Sequence, residues 1–181
     1  ALATYAVPLH INGVASASAP KADEGRPEVI DITNLPKAVF VAHPGLDNAV
    51  PNDGLDDSRT IQTALKWLKA ERAAGNTQVS TIYIPEGVYD LAKTLNVNAP
   101  GITFKGAGAD RTTLQNANSF KVGTDELLDG ETAFDSINQK AYLFALKPSA
   151  NNVSFINMTV GGADIHGAIF SGRNNGRSDE H

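Results

Sequence analysis

The hydrophobic positions of the chain change their period once, close to Gly75. Over residues 58–74, apolar residues recur at helical spacing, with charged residues between them. The apolar positions are Ile61, Ala64, Leu65 and Leu68, and the positions expected to stay in water are Lys66, Lys69, Glu71 and Arg72. Asp56, Asp57 and Ser58 are N-cap candidates, and Gly75 is a natural C-terminal stop. The pattern predicts one amphipathic helix.

After Gly75, polar and apolar residues alternate in short runs separated by Gly, Pro and Asn. The predicted strands lie at residues 82–84, 88–91, 94–97, 102–105, 112–115, 142–146, 153–160 and 168–170. Short strands at this density, with no helix between them, are typical of a chain that coils through successive parallel sheets. Residues 100–104 and 151–155 share one pattern and are expected at equivalent positions in successive turns.

Two further strands are predicted before the helix. Residues 28–32 alternate, and residues 38–42 form a continuous apolar run that is expected to be a buried strand. The whole chain is then predicted to be a single domain: an extended arm over residues 1–28, a helix over 57–75, and a coil over 80–181 with an excursion at 116–141.

Composition narrows the class of protein. The chain has 181 residues, of which 41% are hydrophobic and 19% charged, as in globular proteins. Its net charge of −5 argues against nucleic acid as the main partner. No run approaches the roughly 18 apolar residues of a membrane span. Without cysteine, neither a disulfide nor a thiolate metal site can form.

Residues 52–58, which read Asn-Asp-Gly-Leu-Asp-Asp-Ser and lead into an Ile-Gln-Thr-Ala-Leu helix, resemble the opening of the pectate-lyase-like superfamily. The corner at residues 82–89, the turn at 101–108 and the run at 152–160 are also similar to that group. The resemblance implies a mainly β fold: a right-handed parallel β-helix of about three turns, with the amphipathic helix as its N-terminal cap. One departure is that residues 38–45 replace the strand that usually precedes the helix.

The resemblance also implies a function. Members act mostly on acidic polysaccharides as lyases, hydrolases or uronate epimerases, whereas others are tailspikes or adhesins. Lyase action, the leading expectation here, needs a base for the proton beside the uronate carboxylate and a cation, often Ca²⁺ or Arg, to neutralise that carboxylate. The resemblance further implies a secreted or periplasmic protein, an acidic polysaccharide as partner, and the remainder of the β-helix on the C-terminal side of this chain.

The candidate site residues come late in the sequence. The expected catalytic residues are Asp164, His166, Arg173 and Arg177, and the expected substrate-binding residues are Asp179, Glu180 and His181. Asp164 and His166 would share one face of a strand, because they lie two residues apart. A hydrogen-bonded corner is the alternative interpretation for this pair, and exposed loop charge is the alternative for the arginines. No metal ligands are assigned.

Two earlier groups are interpreted structurally. Asp53, Asp56 and Asp57 are expected to start the helix, with metal binding as the lesser alternative. Tyr83 and Tyr89 are expected in the core or the wall of the coil, with a sugar-stacking platform as the alternative.

Overall fold

The computed structural model describes residues 27–120, 142–163 and 167–171. The helices are α1 (Lys37–Ala42) and α2 (Ser58–Ala73). The strands are β1 (Val29–Asp31), β2 (Thr81–Ile84), β3 (Gly87–Leu91), β4 (Leu95–Val97), β5 (Thr103–Gly106), β6 (Thr112–Asn116), β7 (Tyr142–Leu146), β8 (Ser154–Ile156), β9 (Thr159–Val160) and β10 (Gly167–Ser171). No helix in these ranges is both long and apolar enough to cross a bilayer.

The strands join three parallel sheets in rotation. Sheet 1 has the order β1-β2-β5-β8, sheet 2 the order β3-β6-β9, and sheet 3 the order β10-β7-β4. From β5 onward, each strand therefore pairs with the strand three places earlier in the chain. This mainly β arrangement of parallel strands is consistent with a parallel β-helix. The strands lie close to the predicted positions, except that the run at residues 153–160 is divided into β8 and β9, which belong to different sheets.

The expected equivalence of residues 100–104 and 151–155 is confirmed in the register. Thr103 pairs with Ser154, and Phe104 with Phe155. Each run turns through one residue with positive φ, Gly101 at 63° and Asn152 at 56°. Glycine and asparagine are the residues that adopt this conformation at least cost, which explains why a small or amide residue marks both corners.

The core lies between the sheets and below α2. Strand alternation sends Ile82 and Ile84 inward, and both are fully buried. Phe104 stacks on Phe155 with ring centroids 4.9 Å apart. Phe144, from sheet 3, meets the ring of Phe104 edge-on at 5.0 Å. These aromatic contacts connect strands of two sheets across the interior.

Helix α2 occupies the predicted position and buries the predicted apolar face. It also makes a contact that its hydrophobic pattern does not predict. The Gln62 side chain donates to the backbone carbonyl of Asn96 at 2.9 Å and accepts from the Asn96 amide at 2.8 Å. Gln62 thus pairs with β4 as a neighbouring strand residue would.

The segment before α2 closes strand β3 in the same way. The Asn52 amide donates to the Val88 carbonyl at 2.8 Å, and the Val88 amide donates to Asn52 Oδ1 at 3.0 Å. Farther along the strand, the Asp57 amide donates to the Asp90 carbonyl at 2.8 Å. The Ala92 amide donates to the Asp56 carboxylate at 2.8 Å. Residues 52–57 therefore satisfy the edge of β3 as well as leading into α2.

The predicted capping by the acids is right for one residue and wrong for the other. Asp56 accepts from the Ser58 amide at 2.9 Å, which satisfies a first-turn donor. Asp57 occupies the N-cap position, but its side chain makes no capping hydrogen bond. It is directed instead to the amides of Val50 and Asp90, because the neighbouring strand and loop supply donors that compete with the helix.

One local prediction is wrong, and a second is right only in part. The expected buried strand at residues 38–42 is the helix α1, which begins after Pro36 and buries only Val39, leaving Val41 81% exposed. A five-residue apolar run fits either structure, and its packing decides between them. Arg72, expected to stay in water, donates to the backbone carbonyls of Val79, Pro100 and Gly101, and burial lowers its pKa.

Candidate functional site

The outer face of sheet 1 carries a groove of about 590 Å³. It is lined by Tyr83, Pro85, Glu86, Lys105, Gly106, Ala107, Arg111 and Asn157, and is called here the Lys105–Arg111 groove. The alternation of side chains along the strands determines which residues form its floor. Because Ile82 and Ile84 point inward, Tyr83 points outward, half-buried. Its partner in register on β5 is Lys105, whose side chain is exposed.

The guanidinium of Arg111 forms the second positive group of the groove. Its Nη1 donates to Glu86 Oε2 at 3.3 Å, and its Nη2 donates to the Ala107 carbonyl. Both ion-pair partners are exposed, with 53% and 65% of their side chains accessible. An ion pair this open is worth only about 0–1 kcal/mol. Arg111 can therefore exchange Glu86 for an incoming anion at little cost.

Close backbone packing fixes one end of the groove. A Cβ atom at Gly106 would lie 2.2 Å from the Asn157 carbonyl oxygen, so only glycine allows β5 and the following corner to approach this closely. Asn157 itself has a φ of 54° and is exposed. The Gly108 amide donates to the Asn157 carbonyl at 2.9 Å. The loop that carries Arg111 is thereby tied to the corner between β8 and β9.

A second cavity, of about 500 Å³, lies beside the start of α2 and is called here the Asp57 pocket. Asp57 is only 5% exposed, and its carboxylate accepts from the amides of Val50 at 3.2 Å and Asp90 at 3.3 Å. Burial raises the pKa of the Asp57 carboxyl to about 7, and the charges of Asp53 and Asp56 act in the same direction, whereas the two amides oppose them.

The acids of the Asp57 pocket do not form a metal site. Across the described ranges, no three His, Asp or Glu side chains are grouped closely enough to hold an ion. Asp56 and Asp57 already accept hydrogen bonds from the backbone of residues 50, 58, 90 and 92. Their geometry is that of a structural junction: Asp56 bonds to the first turn of the helix, as predicted, whereas Asp57 bonds to the neighbouring loop and strand.

Comparison with known proteins places the chain in a family. The sequence model described as "Rhamnogalacturonase A/epimerase, pectate lyase-like" matches residues 47–155, more than half of the chain. The chain belongs to this family. Membership in the rhamnogalacturonase A/epimerase, pectate lyase-like family indicates a carbohydrate-active protein with a polysaccharide substrate, and it bears out the resemblance seen in residues 52–160. No curated protein and no solved structure was found to match.

The family match ends before the predicted site residues begin. Asp164, His166, Arg173, Arg177, Asp179, Glu180 and His181 all lie outside the described residues, so their assignment stays a prediction. Of their neighbourhood, the structure describes β10, which pairs in parallel with β7. The excursion expected at residues 116–141 also falls largely outside the described ranges.

The groove residues other than Tyr83 were not anticipated from the sequence. Tyr89 is fully buried, as one interpretation expected, whereas Tyr83 lies at the surface where a sugar could stack. The outward position of Lys105 could have been predicted, because side chains alternate along β5 and the neighbouring Phe104 faces the core. Arg111 gave no such signal, because it lies on a loop whose return to Glu86 depends on the sheet register.

Proposed function

We propose that this member of the rhamnogalacturonase A/epimerase, pectate lyase-like family cleaves an acidic polysaccharide by β-elimination at a uronate. The observation that carries the proposal is the family match over residues 47–155. Lys105 and Arg111 give the groove a local positive charge, although the chain as a whole has a net charge of −5. This local charge supports an acidic polymer as the substrate.

The proposal includes the finer architecture. The rotation of strands among three sheets supports a right-handed coil of about three turns. The pairing of Gln62 with β4 supports a capping role for α2, since it satisfies a strand edge that would otherwise be open. A secreted or periplasmic location fits an enzyme whose substrate is an extracellular polymer.

In the proposed reaction, a base removes the proton on the carbon beside the uronate carboxylate. The electron pair forms a double bond to the next ring carbon, and the glycosidic oxygen leaves from that carbon and takes up a proton. Asp164 and His166 are proposed as base and acid, and Arg173 and Arg177 would neutralise the substrate carboxylate. Asp179, Glu180 and His181 would contact neighbouring sugar units.

The sequence assigns no cofactor, and the resemblance allows calcium as one alternative to arginine for the cation. Among the described residues, no three His, Asp or Glu side chains are grouped closely enough to hold such an ion. The proposal gives the neutralising charge to Arg173 and Arg177, and no step of the proposed reaction passes through a metal.

The test is to incubate the protein with polygalacturonate, alginate and rhamnogalacturonan. Elimination produces a double bond conjugated to the carboxylate, so the ultraviolet absorbance should rise together with the reducing ends. His166→Ala and Arg173→Ala should abolish this rise, whereas His43→Ala, a loop histidine of α1's C-terminal end, should not. New reducing ends without a rise in absorbance would indicate hydrolysis instead of elimination. Altered uronate stereochemistry without cleavage would indicate epimerisation.

A glycan-binding protein without turnover is the second candidate. The observation that favours it is the Lys105–Arg111 groove, which offers positive charge and an aromatic ring. Binding of an acidic polymer with no product in any of these assays would support this second function and contradict the first.

A further inference from the structure

We propose that the Lys105–Arg111 groove is a binding site for a carboxylated oligosaccharide. The class of ligand rests on the proposed function, whereas the location of the site does not. The site lies on the outer face of sheet 1, where Tyr83, Lys105 and Arg111 converge. It takes part in recognition, and no bond-breaking step is assigned to it.

The first argument is the charge of Lys105. Within the described ranges, no carboxylate forms an ion pair with its ammonium group, although the chain has more acidic than basic residues. The acid nearest in register on this face, Asp31, is already engaged by the amide and hydroxyl of Thr33, both at 2.8 Å. Lys105 therefore keeps a positive charge available to a ligand.

The second argument is the spacing of the face. Asp31, Tyr83, Lys105 and Ile156 follow one another in register across β1, β2, β5 and β8. Neighbouring parallel strands are ~4.8 Å apart, so the Tyr83 ring lies beside the Lys105 side chain. A pyranose unit could pack on the ring while its carboxylate reaches the ammonium group.

The third argument is the geometry of Arg111. A planar guanidinium binds a carboxylate through two parallel hydrogen bonds. In this chain, Glu86 supplies one such contact from within the protein. Glu86 thus imitates the proposed ligand, and it must move aside when the ligand binds. Because Glu86 competes with the ligand for Arg111, removing the charge of Glu86 should strengthen binding.

The size of the groove agrees with an oligosaccharide. Its volume of about 590 Å³ lies within the range of roughly 300–1,000 Å³ that is usual for ligand clefts. The exposed amide of Asn157 at its rim offers a donor and an acceptor for sugar hydroxyls. The groove thus combines a ring, two cations and an amide, as recognition of an acidic sugar requires.

The test is calorimetric titration of the protein with tetragalacturonate, with cellotetraose as the neutral control and a sulfated galactan tetrasaccharide as the alternative anion. Tetragalacturonate should bind, and the amide NMR signals of Gly106 and Ala107 should shift. Arg111→Ala and Lys105→Ala should each weaken binding about tenfold or more, as expected for charged hydrogen bonds. Arg59→Ala and Lys69→Ala, exposed cations on α2, are the matched controls and should leave it unchanged.

Two further variants separate the parts of the site. Glu86→Gln should tighten binding about two- to fivefold, because it removes the internal competitor for Arg111. Tyr83→Ala should weaken binding about two- to tenfold, whereas Tyr83→Phe, which keeps the ring, should stay close to the unaltered protein. Circular dichroism of each variant would establish that it is folded.

Binding that is unchanged in the Lys105→Ala, Arg111→Ala double variant would overturn the proposal. So would equal affinity for cellotetraose, or a preference for the sulfated tetrasaccharide. These results are independent of the ultraviolet assay. Groove-dependent binding without turnover would contradict the proposed reaction and leave this site intact, whereas turnover with groove-independent binding would do the reverse.

Discussion

The raised pKa of Asp57 makes the stability of the fold depend on pH in a defined direction. The carboxyl titrates near 3.8 in the unfolded chain and near 7 in the folded one. The folded state therefore holds the proton more tightly. The stabilisation that this provides is fully present below pH 3.8 and is lost as the pH rises through 7.

The magnitude follows from the width of the window. Each pH unit in which the folded carboxyl is protonated and the unfolded one is ionised is worth about 1.36 kcal/mol. Between pH 5 and pH 8 this amounts to about 2.6 kcal/mol, most of it between pH 5 and pH 7. Asp57→Asn removes the titration and resembles the protonated acid in shape and polarity. The variant should therefore gain about 2–3 kcal/mol relative to the unaltered protein between pH 5 and pH 8.

The measurement is urea unfolding at pH 5 and pH 8, followed by tryptophan fluorescence. Trp67 is the only tryptophan and packs partly against the core, so it reports the loss of packing around α2. The quantity to compare is the difference in free energy of unfolding between the two proteins, because other carboxyl groups cancel in it. Asp110→Asn, an exposed acid on the loop before β6, is the control.

The reasoning would be refuted if the difference between Asp57→Asn and the unaltered protein were the same at both pH values. A change of the opposite sign would mean that the amides of Val50 and Asp90 outweigh burial and lower the pKa. An equal change in Asp110→Asn would show that the effect is general electrostatics and not the buried carboxyl.

Three other substitutions test the contacts around α2 and the core. Gln62→Ala should lower the free energy of unfolding by roughly 2–4 kcal/mol, because it leaves a buried amide and carbonyl of β4 unpaired. The control Gln78→Ala, at an exposed position, should change it by less than about 0.5 kcal/mol. Both are measured by urea unfolding. Arg72→Lys should cost about 1–3 kcal/mol in the same assay, since an ammonium group cannot reach three carbonyls as the guanidinium does; an unchanged stability would contradict this. Tyr89→Phe should be neutral or stabilising by about 1 kcal/mol in thermal unfolding, because in the described structure its buried hydroxyl has no partner, and a clear loss of stability would reveal one.

The strands and α2 could be predicted from the sequence because their signals are local. Alternation placed Ile82 and Ile84 in the core, and small or amide corner residues, Gly101 and Asn152, marked the starts of β5 and β8. The helix α1 could not be predicted, because its apolar run lacks a period long enough to tell helix from strand.

The candidate site was less predictable, since it depends on residues that only the sheet register brings together. Tyr83 and Lys105 lie far apart in the sequence and become neighbours when β2 pairs with β5. The Arg111 side chain contacts Glu86 only because the loop between β5 and β6, which carries Arg111, turns back toward it. The sequence instead predicted the site among residues 164–181, which lie largely outside the described ranges, and interpreted the acids near residue 57 as structural.

The pairing of Gln62 with β4 and of residues 52–57 with β3 has a consequence for how the chain is made. These groups precede in the sequence the strands that they hold, and from β5 onward each strand pairs with one synthesised earlier. A nascent chain can therefore lay down its strands in the order in which they leave the ribosome. The edges of β3 and β4 are already closed when later strands are added, so in sheets 2 and 3 growth is directional and the newest edges are the ones open to a wrong partner.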